Sequence, residues 1–490
     1  MIQFLFATSP LITLFLTAII ALGICHNHKL ALNTGFIGMG IALLLNTLLL
    51  LFFPDPVRYN AFYISKGSIW LVEILLIGLG IIYISIDQNL KNSQNKEIIP
   101  VCYLMFTAGA IGIFFTENLL VFTAFFMLTA ASLAAMFFFG PYRKKIHSLN
   151  EYLFVNFFSG NVLIITNIIT FYYYKTLELS ELAILFPTQP LGVQTTIFIG
   201  YLLGIGCICG LIPFANWHLN DYFLESNPIN LRLICSIFLP LCGIILIRIL
   251  AIAPYGEKTF ANILFVVGTI GFILGTVQTL LEIFGKNKIG SRSLPKIIGF
   301  FSVMEFNVFL IVGALFRLSA IENNTIIIIA SLYFLILAVF GKSLLIEAVS
   351  PVLDHSDSWE LQDLGGYNRF YPKFILFLIV IPILYAMPGL MGYLFLNNML
   401  EATVYHKIEE PIQGAQLWLI LVLVVILIIV LFILIATILN EIYFGKSTQT
   451  QVDVIPKMPT IYYYAPILIL LAYCIFTLLF SGMNPFSNQI

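Results

Sequence analysis

Long apolar stretches follow one another along almost the whole chain and are separated by short polar segments. A membrane-spanning helix needs about 20 mostly apolar residues. The chain contains about fourteen stretches that meet this requirement, numbered here as spans 1–14: 2–25, 30–53, 68–86, 99–115, 118–139, 151–174, 193–213, 231–253, 260–284, 296–318, 326–350, 373–398, 413–441 and 462–481. The pattern predicts an all-α polytopic membrane protein.

Composition agrees with this pattern and argues against soluble classes of protein. The chain of 490 residues is 60% hydrophobic and 10% charged, whereas soluble domains carry about 25% charged residues. The net charge of −1 gives no reason to expect nucleic-acid binding. The segments between spans are too short to form a soluble domain, so we expect one integral membrane domain, embedded in a lipid bilayer, over residues 1–490.

Lysine and arginine are unevenly distributed among the loops. Most of them lie in or beside loops that follow odd-numbered spans, as in 143–145 and 286–296. The positive-inside rule then places both termini on the non-cytoplasmic side of a bacterial-type cytoplasmic (inner) membrane or its organelle equivalent. This assignment counts Arg232, the second residue of span 8, with the loop after span 7.

Two spans contain strong helix breakers. Pro213 lies at the end of span 7, and Pro388 and Gly389 lie within span 12. Broken helices at matching positions of two halves point to an inverted-repeat transporter fold, although an ordinary kink is the alternative. We expect three N-terminal spans over 1–98, inverted five-helix repeats over 99–254 (spans 4–8) and 260–445 (spans 9–13), and span 14 within 446–490.

Several short segments carry a family resemblance through their order and spacing. They are CGLIPFANW at 209–217, NP at 227–228 with GIILIR at 243–248, KSLLI at 342–346, MPGLMGY at 387–393 and IYFGK at 442–446. Together they resemble the antiporter-like membrane subunits shared by respiratory complex I, group-4 membrane-bound hydrogenases and Mrp-type cation/proton antiporters. The resemblance extends from about residue 100 to about residue 450.

The resemblance implies proton transport along a mid-membrane line of lysines, glutamates and histidines, but this chain departs from that line. Met127 stands in the region of the family's span-5 glutamate, and Ile208 stands where span 7 carries a lysine. Pro240 and Leu396 occupy the positions of the ionisable groups of spans 8 and 12. A proton path needs groups that gain and lose charge in turn. The chain's own path is therefore predicted to be degenerate.

Four ionisable residues inside the spans remain as ion-path candidates: Lys342, Glu305, Glu347 and Glu73. Lys342 stands where the family has a central lysine. Glu347 is five residues further along the same helix, a spacing that makes the two poor direct partners. Because consecutive helices are usually neighbours, Glu305 on span 10 is the expected partner of Lys342. Such a pair is either a remnant charge relay or a structural pair that fixes helix packing.

Three functions fit the sequence. The first is an antiporter-like membrane subunit of a multi-subunit proton-translocating or redox-linked complex, acting as scaffold or as part of a composite ion path with paralogous subunits. The second is an independent transporter of a small solute. The third is a docking partner for a peripheral enzyme module of the hydrogenase or inorganic-carbon uptake kind. No catalytic, metal or cofactor motif is visible, so any enzyme activity of an NADH/quinone oxidoreductase-like or hydrogenase-like complex would belong to other chains.

Overall fold

Helices make up nearly all of the computed structural model. It describes residues 2–52, 56–84, 86, 96–139, 145–211, 228–250, 258–285, 292–318, 335–355, 359–361, 363–366, 375–381, 411–445, 467–468 and 471. Within these residues, nine helices are long and apolar enough to cross a membrane. In a bilayer, helices satisfy every backbone polar group internally, which explains why such apolar stretches fold this way.

The chain divides into two compact units. The first comprises Met1–Phe214 with Ile245–Phe260, and the second comprises Ala215–Ile244 with Ala261–Ile490. The first unit contains α1 (Ile2–Ala7), α2 (Ser9–Gly23), α3 (His28–Phe52), β1 (Val57–Tyr59), β2 (Phe62–Ile64), α4 (Lys66–Ile84), α5 (Ile99–Phe115), α6 (Leu119–Phe139), α7 (Lys145–Tyr174), α8 (Leu179–Leu185), a 3₁₀ turn (Phe186–Thr188) and α9 (Leu191–Cys209).

The second unit contains most of α10, which runs over 228–250, and all later helices. α10 consists of α-helical Pro228–Arg232, π-helical Leu233–Phe238 and α-helical Leu239–Leu250. It is followed by α11 (Lys258–Phe284), α12 (Leu294–Leu318), α13 over 335–355 with π-helical Leu337–Lys342 and α-helical Ser343–His355, α14 over 375–381, and α15 over 411–443 with a π-helical end at Ile438–Tyr443.

The observed helices confirm the predicted all-α membrane fold. Most predicted spans correspond to one helix whose ends differ by a few residues, although span 1 contains both α1 and α2. Two elements lie in segments predicted as loops, namely α8 and the antiparallel hairpin β1–β2. Spans 12 and 14 are described only at 375–381 and at 467, 468 and 471. The count of fourteen spans and the inverted repeats therefore stay predictions.

The predicted break in span 7 corresponds to the end of α9. Gly210 follows Cys209 with a φ of 71°, a left-handed conformation that glycine adopts without steric cost. The backbone N–H of Leu211 then donates to the carbonyl of Gly206 at 2.9 Å, which closes the helix end. Pro213 itself lies outside the described residues, as do Pro388 and Gly389.

A small layer of extended segments joins the helix ends on one side of the first unit. Glu117 donates its backbone N–H to Ala61 of the hairpin at 2.8 Å and accepts from Leu179 at 3.0 Å. The Arg58 side chain pairs with Glu117 at 3.1 Å and with Glu178 at 2.9 Å. These contacts hold the starts of α6 and α8 against the hairpin.

Asn118 is expected to stabilise the start of α6. Its Oδ1 accepts from the backbone N–H groups of Leu120 at 3.0 Å and Val121 at 3.4 Å. Asn118→Ala removes this N-cap and should lower the free energy of unfolding by about 1 kcal/mol. Thermal melting of the detergent-purified chain measures the change. Asn118→Asp keeps the acceptor and is the matched control, so equal melting of the two variants would contradict the capping role.

Candidate functional site: buried charge pairs in the second unit

Lys342 occupies the last position of the π-helical segment of α13 and is almost completely buried. Its Nζ lies 2.7 Å from Oε2 of Glu305 on α12. The same Nζ donates to the backbone carbonyl of Cys235 on α10 at 3.2 Å. The ion pair inferred from the sequence is therefore present, and the partner of Lys342 is Glu305, as expected. Its role in an ion path stays a prediction.

Pro240 explains why the carbonyl of Cys235 is available to Lys342. In the π-helical segment each N–H donates five residues back, as the N–H of Leu239 does to Ile234. The next donor in that ladder belongs to residue 240, and proline has no N–H. The Cys235 carbonyl therefore lacks this backbone donor, and the Lys342 ammonium supplies one. Pro240 thus shapes the contact made by Lys342.

A second ion pair, which the sequence did not reveal, lies between α10 and α13. Arg232 on α10 pairs with Glu347 on α13 through Nη2 and Oε2, and both side chains are fully buried. The assignment of Arg232 to a loop was wrong, because α10 begins at Pro228 and carries Arg232 inside its buried first turn. Glu347 does not pair with Lys342 but with a residue 115 positions away in sequence.

The Arg232–Glu347 ion pair and the hydrogen bond from Lys342 to the Cys235 carbonyl fix the register of α10 against α13. Arg232 meets Glu347 and Cys235 meets Lys342, so the chain directions are opposite at this contact. Cys235 follows Arg232 by three residues and Lys342 precedes Glu347 by five, so the two contacts lie about one helical turn apart. We call Arg232, Glu347, Lys342 and Glu305 the charge seam.

Two serines lie along the charge seam. Ser236 follows Arg232 by four residues, and Ser343 precedes Glu347 by four, so the register brings them to the same level of the two helices. Both are buried, and neither hydroxyl has a hydrogen-bond partner among the described residues. Buried polar groups of this kind are commonly satisfied by ordered water.

The charge seam is formally neutral, with two cations and two anions. Separating charges from water is costly, and each pair offsets that cost only while both members are present. Lys342, Glu305 and Glu347 can in principle exchange protons, whereas the Arg232 guanidinium stays charged. The seam can thus hold helices together, and it can pass a proton only through the lysine and the two carboxyls.

Of the positions at which the sequence predicts a lost ionisable group, Met127 and Ile208 lie in the first unit. Met127 packs against α7 at Gly160, where an added Cβ would come within 2.5 Å of the methionine Cε. Ile208 is buried in the last turn of α9. Leu396 lies outside the described residues. Met127 and Ile208 thus contribute apolar packing, and the loss of proton-path groups at these positions stays a prediction.

A neutral hydrogen-bond network connects α6, α7 and α9 in the first unit. Asn167 donates to Thr123 Oγ1 at 2.9 Å and accepts from the Tyr201 hydroxyl at 2.8 Å. The Tyr201 hydroxyl also lies 3.3 Å from the Thr170 hydroxyl. These side chains are buried, and none of them is charged at neutral pH. The network specifies how α6, α7 and α9 pack, and its side chains carry no charge at neutral pH.

Glu73, the remaining candidate, lies in the first unit on α4. It is buried against α3, where Asn46 Nδ2 donates to its Oε2 at 2.6 Å and Thr47 Oγ1 donates to its Oε1 at 2.8 Å. No cation of the described residues contributes to its environment. The search of the described residues also found no group of three or more His, Cys, Asp or Glu that could hold a metal ion.

Comparison with known proteins supports the predicted family. No family model matches the chain. Its sequence is 22% identical over 303 residues to the chloroplast NAD(P)H-quinone oxidoreductase chain 4 of Chlorokybus atmophyticus, covering 61% of this chain and 56% of that protein. It is 20% identical over 306 residues to NAD(P)H-quinone oxidoreductase chain 4 1 of Picosynechococcus sp., covering 61% and 54%. The chain thus matches just over half the length of these relatives.

Solved structures agree over nearly the whole chain. A chain of the Mrp complex from Dietzia sp. DQ12-45-1b superposes with a TM-score of 0.78 at 14% identity and covers 97% of this chain and 93% of its own. This likeness shows that the chain has the fold of that Mrp-complex chain. A chain of respiratory complex I from Thermus thermophilus gives 0.71 at 15% identity, with 96% of each chain covered. A chain of the archaeal membrane-bound sulfane sulfur reductase gives 0.76 at 17% identity, covering 96% of this chain and 75% of its own.

Proposed function

We propose that this chain is an antiporter-like membrane subunit of a multi-subunit ion-transporting or redox-linked complex, and that its own proton path is interrupted. The observation that carries the proposal is the contrast between the two units. The charge seam persists in the second unit, whereas Met127, Ile208 and the neutral network occupy the first.

The interruption follows from the chemistry of the side chains. A transported proton must reside on successive groups that can carry it, each close enough to the next or joined to it by water. Methionine and isoleucine cannot hold a proton. An asparagine–tyrosine–threonine network accepts and donates hydrogen bonds without taking up net charge at neutral pH. Of the described family positions, only that of Lys342, in the second unit, carries an ionisable group.

Neighbouring subunits would then supply the parts of the ion path that this chain lacks. The relatives and the superposed chains are named as parts of quinone oxidoreductases, a respiratory complex and an Mrp complex. We infer that paralogous membrane subunits contact this chain, that it serves as scaffold or as one part of a composite ion path, and that a peripheral enzyme module binds the assembly. The enzyme chemistry would belong to that module.

The orientation in the membrane also belongs to the proposal. The lysine and arginine bias places both termini on the non-cytoplasmic side. Arg232 no longer contributes to that bias, because it is buried and paired. The clusters at 143–145 and 286–296 still favour the same side. A cysteine-reactive, membrane-impermeant label on a tagged terminus tests this topology.

Reconstitution tests the function. We expect the purified chain alone to give no proton flux in liposomes under an imposed pH gradient, read by a pH-sensitive dye. We expect affinity purification in mild detergent to recover other membrane subunits and a soluble enzyme chain. Flux by the chain alone would support an independent transporter and overturn the subunit proposal. Recovery of membrane subunits without a soluble chain would overturn the peripheral module only.

A further inference from the structure

Glu73 differs from the glutamates of the charge seam because its carboxyl group is buried without a cation. Both of its oxygens accept hydrogen bonds, one from Asn46 at 2.6 Å and one from Thr47 at 2.8 Å. Asn46 Nδ2 also donates to the carbonyl of Ile69 at 3.0 Å, which fixes the orientation of the amide. Glu305, which is buried to a similar extent, has the Lys342 ammonium at 2.7 Å.

The carboxyl group lies well inside the helices that carry it. Glu73 is seven residues after the start of α4, or about 10 Å along the axis. Asn46 is six residues before the end of α3, or about 9 Å from that end. Since the hydrocarbon layer is about 30 Å thick, the group is within the apolar region. The hairpin β1–β2 connects these two helix ends.

The helices that pack against Glu73 supply no compensating charge. α3 and α5 pack against α4. α5 contains no Asp, Glu, Lys, Arg or His, and the charged or basic residues of α3 are at its opposite end, more than 25 Å along the axis from Asn46 by the helical rise. The titratable groups of these three helices, apart from Glu73, are His28, Lys29, Lys66, Tyr83, Cys102 and Tyr103.

None of those groups bonds to the Glu73 carboxyl. The hydroxyls of Tyr83 and Tyr103 donate instead to the carbonyls of Leu32 at 3.0 Å and Leu79 at 2.7 Å. Lys66 is separated from Glu73 by nearly two helical turns on the same helix. The interactions that act on the carboxyl group are its burial and the two neutral donors. No cation of the described residues therefore balances its charge.

An unbalanced carboxylate in an apolar environment is costly, and binding a proton removes the charge. A second observation at the same cluster is that Asn46 Oδ1 is buried and has no hydrogen-bond donor among the described residues. We propose that Glu73, Asn46 and Thr47 form a proton-binding site in the membrane, separate from the family's line of ionisable residues. The neutral donors position the carboxyl group, and the proton is the ligand.

Dicyclohexylcarbodiimide tests this proposal because it reacts with protonated carboxyl groups in apolar surroundings. The carboxyl oxygen adds to the carbodiimide carbon, the proton passes to a nitrogen, and the adduct rearranges to a stable N-acylurea that retains the whole reagent. Membranes containing the full chain are labelled from pH 6 to pH 9, and peptide mass spectrometry locates the adduct. We expect modification at Glu73, with labelling that falls about tenfold per pH unit above its midpoint.

Variants and an internal comparison make the outcome decisive. Glu73→Gln should eliminate the adduct at this position, and Glu305 should stay unmodified because Lys342 balances its charge. Thr47→Val removes a donor to the charged form, so labelling should persist to higher pH. Absence of labelling at Glu73 in the folded chain at pH 6, or equal labelling at pH 6 and pH 9, would overturn the proposal. Protection by sodium ions at constant pH would overturn it in favour of a cation site.

Discussion

Arg232→Met is expected to destabilise the chain by about 3–5 kcal/mol, because it leaves a fully buried glutamate without its partner. The uncompensated charge of Glu347 cannot reach water from inside the helix contact. We expect a large loss of folded protein in the membrane and a lower melting temperature in detergent. Fluorescence-detected size-exclusion chromatography before and after heating measures both quantities.

The double variant Arg232→Met/Glu347→Leu separates the pair from the packing around it. Replacing a buried ion pair by apolar residues of similar volume is often neutral or stabilising. We therefore expect the double variant to recover most of the stability lost by Arg232→Met. If the double variant is as unstable as the single one, side-chain packing and not the ion pair explains the effect.

A partly exposed ion pair of the same unit provides the matched control. Arg292 pairs with Glu441 at 3.1 Å, with the two side chains 19% and 34% exposed. Water screens such a pair, so Arg292→Met should cost no more than about 1 kcal/mol. Similar losses at Arg232 and Arg292 would contradict the argument from burial.

The sequence predicted the Lys342–Glu305 pair but not the Arg232–Glu347 pair, for reasons that lie in the location of each residue. Lys342 and Glu305 interrupt long apolar spans, where a charge is conspicuous. Arg232 follows the polar segment 214–230 and therefore resembles a loop residue. Asn227–Pro228 is nevertheless a helix-start signal, and it could have placed Arg232 inside α10.

The partner of Glu347 and the π-helical segments had no comparable signal. Helical spacing rules describe neighbours three or four residues apart, and Glu347 pairs across 115 residues. In the sequence, Pro240 indicates only that residue 240 has no backbone N–H to donate. The consequence, a carbonyl of Cys235 free to accept from Lys342, depends on the register between α10 and α13. The helices and their ends thus follow from hydrophobicity, whereas the site depends on packing.

Substitutions at Lys342 are expected to separate a structural pair from a charge relay. Lys342→Met leaves Glu305 buried without a cation and should destabilise the chain by about 3–5 kcal/mol, so that little assembled complex forms. Lys342→Met/Glu305→Gln removes both charges and should recover much of the assembly. Complex yield after affinity purification measures both effects, and equal yields of the single and double variants would contradict the pair.

Lys342→Arg tests directly whether residue 342 passes a proton. An arginine keeps a positive charge beside Glu305 but does not release a proton at any physiological pH. If the pair is structural, as the apolar residues Met127 and Ile208 in the first unit suggest, proton flux per assembled complex should be unchanged in this variant. A loss of flux at normal assembly would show that Lys342 still passes protons, because the charge would be retained and only the exchangeable proton removed. The chain would then contribute a working half of a path whose other half lies in a neighbouring subunit.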